Sequence, residues 1–252
     1  MSEATTDQLE PGAEVAPGVY RFGSRRVNWY VLEGDDGLAV VDAGVPGHWE
    51  QLVSGVAEFG YGLGDVEALV LTHGHPDHVG FAERLREEAD VPVYVHHADA
   101  AMARGEGGGP ADPAAFLNIW RPAVVGLLVE LARGGGLSIA PVESVETFED
   151  GDELDVPGSP QVIHVPGHSA GSCAIHLPGR DVLLSGDALA TLDIKRGRRG
   201  APMLMTLFNA DEAQAAESLD RLEDLGEVTL LPGHGDPWRG EMAEAVRSAR
   251  SG

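Results

Sequence analysis

Residues 69–85 read LVLTHGHPDHVGFAERL, an apolar run that ends in three histidines and an aspartate within six positions. The opening VEALVL pattern is that of a buried strand, and VGFAERLREEA (79–89) has the apolar spacing of a helix. The polar cluster therefore sits at a strand-to-helix turn. In an extended segment residues two apart point the same way, so His73 and His75 can converge on one ion. Asp77 and His78, at the entry to the helix, point to a neighbouring location. H-x-H-x-D-H concentrates imidazole and carboxylate donors far beyond what a solvated loop needs, and these are the donors that hold zinc and similar metals.

Three later residues complete a candidate ligand set: His168 in PGHSAGS (166–172), Asp187 in SGDA (185–188) and His234 in PGHGD (232–236). Each follows a strand-like run, where α/β proteins place functional groups. His73, His75 and His168 can serve one ion and Asp77, His78 and His234 a second, with Asp187 between them. Water shared by two such ions is acidic enough to attack as hydroxide near neutral pH.

The rest of the chain alternates short strands with helices. Strands are expected at GVYRF (18–22), NWYVLEG (28–34), GLAVVDAG (37–44), VPVYVHH (91–97), QVIH (161–164), CAIHL (173–177), DVLLSG (181–186) and EVTLLP (227–232). HWEQLVSGVAEFG (48–60) and ADEAQAAESLDRLEDLG (210–226) read as amphipathic helices. Each half carries a strand ending in Asp-Ala, or close to it, and later one ending in a His-containing turn, a weak repeat that suggests two related α/β lobes. Residues 1–16 read as a loose, polar segment before a single domain over 17–252. Residues 99–141 form an irregular insertion between the halves, in which Pro122 separates two helices. The second, PAVVGLLVELA (122–132), is apolar nearly all round and is expected to be covered, as a core helix, a cap over a cleft or a dimer contact.

In this order and spacing, THGHPDHVG, PGHSAGS, SGDA and PGHGD resemble the metallo-β-lactamase superfamily over residues 19–238. The resemblance implies an α/β fold, the four-layer αββα sandwich with a helical insertion, and two divalent metal ions, with zinc expected and iron or manganese as alternatives. It implies the ligand assignment above and Asp42 as the residue that orients the histidine loop from behind. Asp77 and Asp187 are the catalytic candidates, Asp77 as a holder of the proton that hydroxide formation or attack releases and Asp187 as the bridge between the ions. Aspartate at position 187 disfavours the lactamase branches that use cysteine there.

Within the superfamily the chain looks most like the glyoxalase II and lactonase side: a hydrolase of a thioester, a lactone or a related carbonyl ester or amide. A mononuclear iron persulfide dioxygenase is the alternative and a phosphodiesterase a more distant one. The chain has 252 residues and a net charge of −24, so nucleic acid, bound through phosphate neutralisation, is not an expected partner. A small-molecule substrate with an apolar acyl part and a homodimer are the expected associations. No secretory leader or bilayer-spanning run is visible, so a cytoplasmic location is expected. The single cysteine, Cys173, excludes an internal disulfide and reads as buried and unreactive. KRGRRG (195–200) gathers Lys195, Arg196, Arg198 and Arg199, four of seventeen basic residues, as a solvated loop or a grip on an anionic substrate group. His96, His97 and His164 read as structural.

Overall fold

The computed structural model describes residues 10–24, 26–106, 118, 120–205 and 207–251. Seven strands form one sheet in sequential order: β1 (Ala13–Ala16), β2 (Val19–Gly23), β3 (Asn28–Glu33), β4 (Leu38–Val41), β5 (Val66–Val70), β6 (Val93–His96) and β7 (Glu146–Phe148). The second sheet uses β8 (Gln161–His164), β9 (Cys173–Leu177), β10 (Val182–Gly186), β13 (Glu227–Pro232) and β14 (Trp238–Glu241), in the order β14-β13-β10-β9-β8. A separate hairpin pairs β11 (Ala190–Asp193) with β12 (Arg198–Met203).

The strands are apolar on both faces because both faces are covered. In β4 and β5, Leu38, Val40 and Leu69 point outward against helices α1 (Trp49–Glu58) and α3 (Ala82–Ala89), where Leu52, Val56 and Leu85 meet them. Ala39, Val41, Ala68 and Val70 alternate inward against Ile175, Leu184 and Leu231 of the second sheet. On the far side of that sheet Leu183, Val228 and Leu230 are capped by Leu219, Leu222 and by Met242 and Val246 of the last helix, Met242–Ser251. Helix, sheet, sheet and helix layers thus make an αββα sandwich. Each large aliphatic side chain so buried contributes about 1.5–3 kcal/mol.

The internal repeat seen in the sequence has a structural counterpart. The parallel pair β4–β5 lies inside the first sheet and the parallel pair β10–β13 inside the second. One strand of each pair ends in an aspartate, Asp42 or Asp187, and the other runs into a histidine turn.

Three sequence expectations change. Ala13–Ala16, placed in the loose leader, pairs as an edge strand with β2, a run too short to signal itself. The helix expected over 210–226 is α-helical only at α6 (Glu212–Ser218), capped by Asp211, and then tightens into a 3-10 helix over Leu219–Leu225. Leu219 and Leu222 are buried three apart, which suits three residues per turn. Helix α5 (Pro122–Arg133) is covered on one face only: Val124 and Leu127 pack on Ile194 of the hairpin, while Val125, Leu128 and Val129 stay 42, 37 and 41% exposed. A one-turn helix α4 (Ala100–Ala103) opens the insertion, and the first of the two helices expected there falls mostly outside the described residues.

Candidate metal centre

The four motifs meet at one edge of the sandwich. His73 and His75 leave β5, and Asp77 and His78 lie in the one-turn helix α2 (Pro76–Val79). His168 comes from the β8–β9 turn, Asp187 from the end of β10 and His234 from the end of β13. Donor atoms of His73, His75 and His168 lie within 4.8 Å of one another, as do those of Asp77, His78 and His234. Asp187 sits between the groups: its Oδ2 is 3.2 Å from His168 Nε2 and 3.1 Å from His234 Nε2, and its Oδ1 is 3.4 Å from His78 Nε2. His234 Nε2 is also 3.5 Å from Asp77 Oδ2.

The outer ring nitrogens decide what the inner ones can do. His78 Nδ1 donates to Asp42 Oδ2 at 2.8 Å, His168 Nδ1 to Asn209 Oδ1 at 2.9 Å, and His234 Nδ1 to the Arg26 carbonyl. With each Nδ1 carrying its proton outward, a cation that takes the place of any proton on Nε2 meets that nitrogen's lone pair. Lone pairs then face carboxylate oxygens, an arrangement complementary to cations. His73 Nε2, His78 Nε2 and Asp187 Oδ1 are buried with no hydrogen-bond partner among the described residues. The donor set therefore fits divalent ions.

The electrostatics separate two kinds of ring: those among other imidazoles lose basicity, and those against carboxylates gain it, which marks where positive charge is favoured. Burial, reinforced by the neighbouring His78, His75 and His168, holds His73 well below the usual histidine range. Burial also lowers His75, to about 4. Burial opposes charge on His78 too, but Asp42 and Asp187 overcome it and raise that ring well above its ordinary value. Against burial, His234, His78 and His168 keep Asp187 strongly acidic.

Supporting residues fix the loops. Asp42 adopts a left-handed backbone (φ 62°), a conformation aspartate tolerates, and accepts from both the amide and hydroxyl of Thr72. Gly233 allows a close approach that a side chain would block: a Cβ there would lie 2.5 Å from Asp187 Oδ1. Asn28 donates to the Pro232 and Gly235 carbonyls and so clamps the His234 turn.

Sequence reading missed Asp99. Fully buried, it accepts from the Gly74 amide at 2.9 Å, the Ser169 hydroxyl at 2.6 Å and the Gly171 amide at 2.7 Å. One carboxylate thus ties the His73–His75 loop to the His168 loop. Its position at the head of an irregular, motif-poor stretch carried no signal. Asn209 and the Arg26 carbonyl were missed because a lone Asn and a backbone carbonyl carry no motif.

Of the basic cluster, Arg198 and Arg199 belong to strand β12 and not to a loop, and Arg196 is tied to Asp193 at 3.1 Å. Arg199 faces Asp236, two residues beyond His234, at 4.0 Å. His96, His97 and Glu149 form a smaller gathering elsewhere. There His96 Nδ1 accepts from the Ala98 amide, which leaves the proton on Nε2, the nitrogen nearest Glu149. His96 also stacks on His164, with ring centroids 4.1 Å apart. Cys173 is buried in β9, and burial pushes its thiol pKa up.

The Metallo-beta-lactamase superfamily profile matches residues 23–234. The chain belongs to that superfamily. It is 30% identical over 250 residues to the probable metallo-hydrolase YflN of Bacillus subtilis (strain 168), covering 91% of this chain and 88% of the relative. Among solved structures, the metallo-beta-lactamase family protein TTHA1429 of Thermus thermophilus superposes with a TM-score of 0.67 at 27% identity, over 93% of this chain and 79% of that one. TTHA1623, solved in a di-iron-bound form, gives 0.63 at 31% identity, over 91% of this chain and 96% of that one. As in a metallo-hydrolase of this superfamily, His and Asp clusters capable of holding metal lie at the sandwich edge. No described helix is long and apolar enough to cross a membrane.

Proposed function

We propose that this superfamily member is a hydrolase of thioesters or lactones that works with two divalent ions, zinc in the first instance. His73, His75 and His168 would hold one ion, Asp77, His78 and His234 the other, and Asp187 would lie between them. The observation that carries this reading is the inward convergence of imidazole Nε2 atoms on Asp187, with the outer nitrogens of His78, His168 and His234 already committed to acceptors.

When bound, such ions supply Lewis acidity toward a carbonyl oxygen and lower the pKa of water at the same place. The residues of the chain do the rest. Asp42, Asn209 and the Arg26 carbonyl hold the rings in one tautomer and orientation. Asp77, partly open to solvent, presents a carboxylate that can take a proton released during attack and return it to the leaving group. Burial of His73, His168 and Asp187 keeps bulk water away from the inner donors. A glyoxalase II or lactonase type of substrate suits the aspartate at position 187, and the apolar helix α5 packs on the hairpin that follows Asp187.

Elemental analysis of untagged protein purified without added metal tests the metal count, and a screen of thioesters, lactones and β-lactams tests the reaction. Two zinc or other divalent ions per chain with thioester or lactone turnover is the expected result. One iron per chain and oxygen consumption with glutathione persulfide would replace this reading with the dioxygenase one.

A further inference from the structure

A cavity of about 230 Å³ lies between helix α5 and the β11–β12 hairpin, walled by Ala123, Leu127, Leu192 and Ile194, with Arg26 and Arg199 among its lining residues. Its lining segments are tied to the His234 turn. The Arg26 carbonyl accepts from His234 Nδ1, the Thr191 amide next to Leu192 donates to the His234 carbonyl, and Arg199 faces Asp236. We propose that this cavity is a subsite for an acyl chain ending in a carboxylate, with Arg199 as the residue that reads the carboxylate and Arg26 in support. The proposal rests on the hydrolase reading and deepens it by naming the substrate class.

Three observations carry it. The first is charge. In a chain of net charge −24 with only seventeen basic residues, segments far apart in sequence bring two arginines to the lining of one small cavity. The second is how far each arginine is already committed. Arg26 is engaged with Glu130 at 2.9 Å. Arg199 has only Asp236 at 4.0 Å, beyond hydrogen-bond range, and makes no closer polar contact among the described residues. Its planar fork is therefore open for a two-point carboxylate contact. The third is shape. Part of the lining is aliphatic, from Ala123, Leu127, Leu192 and Ile194, and suits a few methylene groups; the rest is polar and suits a charged end, and the volume falls below the roughly 300–1,000 Å³ of sites that enclose drug-sized ligands. A short acyl chain fits that description and a coenzyme-sized group does not. The apolar acyl part expected from sequence thus acquires a charged end.

Calorimetric titration of the metal-loaded protein with adipamate, a six-carbon chain with one carboxylate and one amide, and with the neutral diamide adipamide tests the subsite without any turnover. Adipamate is expected to bind at least tenfold more tightly than adipamide. Arg199→Gln is expected to remove that difference, Arg199→Lys to restore part of it, and Arg239→Gln, on β14, to leave it intact. An unchanged thermal midpoint for Arg199→Gln shows that the variant is folded. Equal binding of the two probes overturns the proposal. So does adipamate binding that survives Arg199→Gln, because the carboxylate then sits elsewhere, for example on the metal ions. If the hydrolase reading holds, a thioester of an acyl chain with a terminal carboxylate should show a tenfold higher KM in Arg199→Gln at unchanged kcat. Thioester turnover with no preference for a terminal carboxylate would leave the hydrolase standing and remove the subsite. The adipamate pattern without turnover would do the reverse.

Discussion

Asp99 touches none of the candidate metals' donor atoms, yet it holds two loops that do. Replacing it with alanine strands the Gly74 and Gly171 amides in a buried place, while the Ser169 hydroxyl keeps only Ser172 Oγ, at a cost of at least about 2 kcal/mol. Loosened supports of this kind typically weaken metal binding by about 10- to 100-fold. Competition against a chromophoric chelator should show that loss for Asp99→Ala and a smaller one for Asp99→Asn; unchanged affinity would mean that the loops are held by other contacts. His48 offers a second test. Burial lowers its pKa to about 4 although Glu130 pulls the other way. A histidine depressed in the folded state is neutral there while the unfolded chain takes up a proton. Stability is therefore unaffected above the unfolded value near 6.5 and falls as pH drops from about 6.5 toward 4, by up to about 3 kcal/mol in all. Urea unfolding at pH 7.5 and pH 5 should show this slope in the wild type and a shallower one in His48→Gln.

Helix α5 illustrates how an element can be placed by few contacts. Val124 and Leu127 are buried against the hairpin, and Glu130 accepts from Ser24 and pairs with Arg26 in the β2–β3 loop. Glu130→Gln weakens the charged tie. A partly exposed pair contributes only about 0–1 kcal/mol to global stability, so the global unfolding midpoint should barely move. Local opening is more sensitive, because so little else anchors the helix. Hydrogen exchange over Pro122–Arg133 should accelerate severalfold while β4 and β5 stay protected. Equal protection in both proteins would mean that the apolar face alone fixes the helix. The one-sided burial also explains why this helix departs from the expectation that it would be covered: only the row Val124, Leu127 and, in part, Leu131 meets a partner.

At the level of the whole molecule, two sheets each deliver an aspartate and a histidine from a central parallel pair to one edge, so the candidate centre staples the halves of the sandwich together. Ions bound there at a thousandfold excess over their dissociation constant would add about 4 kcal/mol, on the order of 10 °C in thermal midpoint for a chain of this size. Stripping with a chelator should lower the midpoint by that order, and readdition of zinc should restore it. A midpoint indifferent to both treatments would argue against resident ions. A net charge of −24 also implies self-repulsion that salt screens, so the midpoint should rise between about 0.05 and 1 M sodium chloride.

The superfamily, the layer order and the candidate ligands were legible in the sequence because their signals are local. A strand buried on both faces is apolar throughout, and His73, His75, Asp77 and His78 lie within six positions, so neither pattern needs a distant partner to be recognised. What stands behind the ligands is not local. Asp99 reaches Gly74 across 25 positions, Asn209 reaches His168 across 41, and the Arg26 carbonyl reaches His234 across 208. A backbone carbonyl has no sequence signature at all, and a lone Asp or Asn gains meaning only from what it touches. The same holds for the basic residues: KRGRRG was visible as a run, but only the β11–β12 hairpin brings Arg199 of that run to the lining of the cavity that Arg26 also lines. Sequence determined the superfamily and which metal-donor side chains the chain carries, through residue type and short-range period. The tertiary structure alone decided which side chains orient that chemistry and which face the cavity beside it, because those relations are made by packing between segments far apart in the chain.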